Sequence, residues 1–132
     1  MFKKALLLGI VSGLLAGIAG LIYAKVYYSA TEADFSKVAS NINIIVSSVF
    51  GGVLAAIGFW AAARLLKSYG EIVFNLIFSI LSFASLLAPI AFRLPRDIAT
   101  PELFPGMVIP MHFFPALAWY TLKPLFFRQR PA

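Results

Sequence analysis

Long apolar runs, interrupted at intervals by single charges, set the pattern of this chain. No Asp, Glu, Lys or Arg occurs in residues 5–24, 38–63, 72–92 or 103–122. Each run reaches the roughly 20 residues that an α-helix needs to cross the hydrocarbon core of a bilayer. None shows the alternation of a barrel strand, and a helix in lipid pairs its own backbone groups. The pattern predicts an all-α integral membrane protein, a four-helix bundle forming a single transmembrane domain over residues 1–132. Its helices are expected at approximately 5–28, 32–66, 71–93 and 103–127. Helix two is carried back to residue 32 because Thr31-Glu32-Ala33-Asp34 has the form of an N-cap followed by first-turn acids. The first run follows Lys3 and Lys4 but exceeds a signal-peptide core and lacks a convincing small-residue cleavage site. It is read as an uncleaved helix.

Composition agrees with this reading. The chain is 61% hydrophobic and 12% charged, against about 45–50% and about 25% in a soluble domain. So few polar side chains cannot cover a 132-residue fold in water, which argues against a soluble enzyme or a disordered tail. Cysteine is absent, so disulfides, thiolate nucleophiles and Cys-ligated metals are excluded. The net charge of +6 is not gathered into a basic stripe, and no nucleic-acid partner is expected.

The charges instead orient the chain. Four spans place the N-terminus, the second loop and the C-terminus on one side. That side carries Lys3, Lys4, Arg64, Lys67, Lys123, Arg128 and Arg130, with Glu71 its one acid. The other side carries Lys25, Lys37, Arg93 and Arg96, balanced by Glu32, Asp34, Asp97 and Glu102. The excess of Lys and Arg predicts both termini on the cytoplasmic face of the cell membrane. Trp60, Trp119 and Tyr120 at the inner ends, and Tyr23, Tyr27 and Tyr28 at the outer end, suit headgroup level. The tail from Lys123 to Arg130 mixes aromatic and basic residues, as an anchor on anionic lipid does.

The two halves differ in how their helices are built. Gly9, Gly13 and Gly17 follow at four-residue steps in helix one, and Ser48, Gly52, Ala55, Ala56 and Ala63 share a side of helix two. Such small-residue faces let backbones approach closely. They fit either a hairpin within the chain or a homo-oligomer. All eight prolines fall in residues 89–131. Pro110 and Pro115 are expected to kink helix four and free the carbonyls of Gly106 and Met111.

Candidate polar chemistry lies in the second half. Asn75, Ser82, Ser85 and Pro89 fall on one stripe of helix three, headed by Glu71 and flanked by Ser79. His112, the only histidine, lies deep in the fourth run. Intramembrane polar groups face the protein interior, either as a ligand path or as hydrogen-bonded packing. Asp97 and Glu102, with Arg93 and Arg96, would line the mouth of a cavity above His112 or simply pair in the outer loop. A lone His without Cys is short of metal ligands, so neither a metal nor another cofactor is expected. Phosphate loops, dinucleotide fingerprints and hydrolase motifs are absent. The leading expectation is a small polytopic inner-membrane protein acting by assembly with itself, a membrane partner or lipid. One alternative is passage of a small solute or proton between helices three and four. A second is a membrane enzyme acting on a lipid or quinone.

Overall fold

The computed structural model describes residues 1–128; positions 129–132, with the Arg130 end of the basic tail, lie outside the described residues. The described chain is all-helical: α1 (Phe2–Thr31), α2 (Asn41–Leu66), α3 (Gly70–Ala84), α4 (Leu87–Ala91) and α5 (Phe104–Phe126), with 3-10 turns at Lys67–Tyr69 and Pro101–Leu103. Two stretches are long and apolar enough to cross a membrane. They are α1 and Asn41–Ala91, which comprises α2 to α4.

Three helices, not the four expected, reach spanning length: α1 with 30 residues, α2 with 26 and α5 with 23. The expected helix 71–93 is divided between α3 and α4. Pro89 has no N–H to give the Ser85 carbonyl, and the Ala88 N–H donates to it instead, at 3.2 Å. The chain tightens there from i→i+4 to i→i+3 bonding. Pro110, Pro115 and Pro124 all lie inside α5.

The expected start of helix two at residue 32 is also corrected. Thr31 ends α1, and Glu32 takes the left-handed conformation (φ 57°) with its N–H donating to the Tyr28 carbonyl. The hydroxyl of Thr31 donates to the Tyr27 carbonyl at 2.8 Å and accepts from the Ala33 N–H at 3.3 Å. What resembled a helix start is a helix exit. The cap of α2 is Ser40, whose hydroxyl accepts from the Asn43 N–H at 3.2 Å. Between them, Ala33 and Phe35 are drawn into a small core with Ile98, Phe104 and Met107, which holds the segment over the helix ends.

Loop 32–40 and the segment before α5 meet at one end of the molecule, through Phe35 against Phe104 (5.3 Å) and the Lys37–Asp97 ion pair. At the other end Phe2 stands on Trp60 (5.3 Å) and Phe127 on Phe59 (5.2 Å). These are called the loop end and the terminal end below.

Helix α1 is built inside out relative to a helix in water. Its buried face is mostly small: Ala5, Gly9, Ser12, Gly13, Ala16, Gly17 and Gly20 are buried, with Leu8 the one large side chain among them. Its exposed face is large, with Leu7, Leu14, Ile18 and Ile22 all more than a third exposed. The small face lies on α2 of the same chain. A Cβ at Gly9 would fall on the Gly52 carbonyl oxygen, and one at Gly13 would lie 2.6 Å from Val49 Cα. The helices therefore touch backbone to backbone, where dispersion contacts are densest. The large outer side chains continue on α2 (Ile42, Val46, Phe50) and α3 (Ile72, Leu76, Ile80). Only 17% of the most apolar window in Asn41–Ala91 is buried.

Gly13→Ala and Gly52→Ala are expected to destabilise the protein by about 1–3 kcal/mol each through overpacking. Gly51→Ala, whose Cβ would meet nothing within 4 Å, is expected to be neutral or stabilising by up to about 1 kcal/mol. Unfolding of the micelle-reconstituted variants by SDS titration measures all three.

Candidate functional site

Helix α1 packs along both α2 and α5, while α2 and α5 touch each other little. Helix α3 is drawn to them at the terminal end. Gly70 lies so close to α2 that a Cβ there would stand 2.6 Å from Ala63 Cα. Phe74 meets Phe59 edge to face (5.3 Å) and lies tilted against Trp119 (5.5 Å), and Phe78 closes on Trp119 at 6.2 Å. Each such pair contributes roughly 0.5–1.5 kcal/mol beyond its buried area. Lys123, buried on α5, completes that end by an ion pair with Glu71 and by standing 5.0 Å from the centre of the Phe59 ring.

Toward the loop end the helices separate, leaving a cleft of about 750 Å³ between α2, α3 and α5. Its walls are mainly apolar, and among the described residues no Asp, Glu, Lys or Arg lines it. Leu54 of α2 and Ile77 and Leu81 of α3 line the cleft yet are 52%, 51% and 60% exposed. These three side chains are a rim: the cleft opens sideways between α2 and α3, part-way along the helices.

The polar groups of the cleft gather at one depth. Ile44 and Met111 both face Gly20 of α1, which sets residues 44–48 of α2 beside 111–115 of α5. Phe83 meets Phe113 at 5.2 Å, which sets the level of α3. Ser47 and Ser48, Ser82 and Ser85, and His112 therefore form a belt, with Asn43 one turn nearer the loop end. Nearer the terminal end the lining is Leu54, Ala55, Gly58, Ala62, Phe74 and Phe78, with no polar side chain. His112 also lines a smaller cavity of about 240 Å³ toward the loop end, with Val38, Pro89, Phe92 and Phe104.

The belt is largely bonded to its own helices. Ser82 donates to the Phe78 carbonyl at 2.8 Å, Ser85 to the Ser82 carbonyl at 2.7 Å and Ser47 to the Asn43 carbonyl at 2.6 Å. His112 uses Nδ1 toward the Val108 carbonyl at 2.9 Å.

The structure thus brings together His112, Ser82 and Ser85 of the expected polar set, and adds a wall from α2 that the sequence reading did not include. Asn75 is not at the cleft. Its backbone carbonyl accepts from the Tyr120 hydroxyl at 3.1 Å, which also meets Ser79 Oγ at 3.1 Å, while Asn75 Oδ1 is buried without a partner among the described residues. Pro89 is buried at the smaller cavity. Asp97 and Glu102 line neither cavity; Asp97 pairs with Lys37 at 2.9 Å, and Glu102 is exposed in the turn before α5. The packing set falls on the α1–α2 contact: Gly9, Gly13 and Gly17 against Gly52, Ala56, the Ser48 backbone and Ile45.

One aromatic assignment is corrected. Trp119 is fully buried, not at a headgroup surface, and Tyr120 ties α5 to α3. Tyr23 and Tyr27 likewise turn to α5. Tyr23 donates to the Gly106 carbonyl at 3.0 Å and Tyr27 to the Leu103 carbonyl at 2.7 Å. The Gly106 carbonyl is one that Pro110 frees, and a hydroxyl from α1 satisfies it. A phenol one helix away is a reach that spacing along one segment does not reveal.

No protein-family model, curated protein or solved structure matches this chain.

The loop-end ion pair makes a pH prediction. The hydrogen bond from Lys37 holds the Asp97 carboxyl below its usual 3.8. A carboxyl lowered in the fold contributes above its unfolded value and loses that contribution as pH falls through its folded value. The Lys37–Asp97 contact is therefore expected to persist above about pH 4 and to open below it. A ¹³C-carboxyl NMR titration should find Asp97 below 3.8, and Lys37→Met should raise it toward the ordinary carboxylate range, the backbone hydrogen bond to Asp97 holding part of the lowering.

Proposed function

We propose that this is a multi-pass membrane protein that binds an apolar molecule taken laterally from the bilayer. The observation that carries the proposal is the sideways opening of the cleft, with the apolar rim of Leu54, Ile77 and Leu81. A ligand dissolved in lipid reaches such an opening without crossing water. The volume, about 750 Å³, falls within the ~300–1,000 Å³ of small-molecule sites. In this reading α1, α2, α3 with α4, and α5 form four spans, kinked in the last by Pro110 and Pro115. The large apolar side chains on the outer faces then meet lipid, where they lose nothing by exposure. The terminal end, with Lys3, Lys4, Arg64 and Lys67, faces the cytoplasm.

Self-assembly through the glycine face has less support, because α2 of the same chain occupies that face. An enzyme acting on lipid or quinone lacks a partner for His112, since Asp97 and Glu102 stand away from the cleft. Passage of a solute or proton is the second reading. His112 favours it by standing between two cavities. The ring stack of Phe59, Phe74 and Trp119 below the cleft opposes it.

Orientation can be tested with single thiols, because the chain has no cysteine. Ser68→Cys is expected to react with an impermeant maleimide only after the cytoplasmic face is opened, and Ser36→Cys in intact cells. The reverse pattern would invert the topology.

Lipid entry can be tested on Trp60→Phe, which leaves Trp119 the only Trp. Brominated-chain phosphatidylcholine is expected to quench Trp119, which lies beneath the cleft against Phe74 and Phe78. Adding Gly51→Phe should relieve the quenching, since Gly51 lines the cleft and faces open space. Equal quenching with and without Gly51→Phe would overturn the reading.

A further inference from the structure

The cleft has a polarity along its length. Its polar residues Asn43, Ser47, Ser48, Ser82, Ser85 and His112 lie toward the loop end, and its remaining depth toward Ala62 and Phe74 is apolar among the described residues. An occupant that satisfies both regions has a small polar head and one apolar chain pointing toward the terminal end.

The belt also specifies the head. Among the described residues no charged side chain lines the cleft, so a carboxylate or phosphate would be buried there without a counter-charge, at a cost of several kcal/mol. The head is uncharged. The hydrogen-bonding groups then decide what it offers. Carbonyl oxygens only accept, so the 2.9 Å contact of His112 Nδ1 with the Val108 carbonyl puts a proton on Nδ1. In the neutral ring that leaves Nε2 an acceptor. Ser47, Ser82 and Ser85 spend their hydroxyl protons on backbone carbonyls and offer only lone pairs to the cleft. Ser48 makes no side-chain hydrogen bond to the described residues, so its hydroxyl remains able to donate. Asn43 spends one amide N–H on the Val38 carbonyl at 3.3 Å and keeps a second, with its Oδ1 an acceptor. Acceptors outnumbering these two donors, the Ser48 hydroxyl and the Asn43 amide, match a group that donates one hydrogen bond and accepts another. That group is a hydroxyl.

We infer that the cleft binds a single-chain amphiphile headed by an uncharged hydroxyl, an alcohol or a phenol. The hydroxyl donates to His112 Nε2 and accepts from Ser48, and the chain fills the apolar depth. This assignment rests on the lipid-binding reading above and adds the chemistry of the head.

Because His112 is the only histidine, ¹⁵N-histidine labelling of the full chain in nanodiscs gives a single imidazole. The probes are 1-hexadecanol, methyl palmitate, palmitate and hexadecane, which share a sixteen-carbon acyl or alkyl chain and differ in the head. Hexadecanol is expected to shift Nε2 upfield and leave Nδ1 nearly unchanged, and the other three to leave both in place. In competition with brominated lipid at Trp119, hexadecanol is expected to act at about tenfold lower concentration than hexadecane, the worth of one buried hydrogen bond. His112→Leu should abolish that preference while hexadecane still competes. His112→Gln, which restores an acceptor, should recover part of it. If hexadecane and methyl palmitate compete as well as hexadecanol, the lipid-binding reading stands and the hydroxyl assignment falls. The assignment also falls if palmitate competes best, because the head is then an anion. If none of the four relieves quenching, the lipid-binding reading falls as well.

Discussion

Gly9, Gly13 and Gly52 let the backbones of α1 and α2 touch, and the rest of the molecule is arranged around that contact. A Cβ at any of the three would collide with the opposite backbone. With so little volume between the two helices, large side chains have little room inside the pair beyond Leu8 and Phe59 at the terminal end. The others are carried to the outer faces, where Leu14, Ile18, Val46 and Phe50 stand exposed. In water this would be an unstable surface. Next to lipid it costs nothing, because lipid tails are as apolar as leucine and association relies on packing rather than on water exclusion.

The same contact explains the cleft. Helix α1 takes α2 on one side and α5 on another, so α2 and α5 are held apart by the helix between them. Helix α3 is held most closely at its Gly70 end, by Gly70 on α2 and by the rings of Phe74 and Phe78 on Phe59 and Trp119, and further along it meets α5, through Tyr120 and Phe113. Past that anchor it reaches Pro89 and the tightened turn at Ser85, which break the helix before it can lie along its neighbours. A gap remains, closed at the ring stack and open at the side. The polar groups that reach it are mostly bonded to their own backbone, and that makes a polar belt tolerable there.

Much of the local organisation was legible along the chain. The charge-free runs located α1 and α2, because a segment that must pair its own backbone in an apolar phase cannot contain a charge without a partner. The four-residue spacing of glycines marked the packing face of α1, since positions i and i+4 lie one above the other on a helix. The carbonyl freed by Pro110 was also legible from the chemistry of proline alone. Thr31-Glu32-Ala33-Asp34 misled because a hydroxyl followed by acids suits a helix start and a helix exit alike. The left-handed turn at Glu32 is selected by Phe35 and Ala33, which bury against residues more than sixty positions away.

What the sequence by itself determined was therefore one-dimensional: which segments are helical and apolar, which faces are small, and where charge collects. These follow from composition and from the 3.6-residue period. Pairing in space was decided only by the tertiary structure. It gave the glycine face to α2 of the same chain, turned Trp119 inward, joined Lys123 to Glu71, and removed Asn75 from His112 while bringing Ser47 and Ser48 to it. The physical reason is that these choices depend on the relative depth and rotation of helices. A few close contacts, such as Gly20 with Ile44 and Met111 or Phe83 with Phe113, set both. No period within a single segment encodes them.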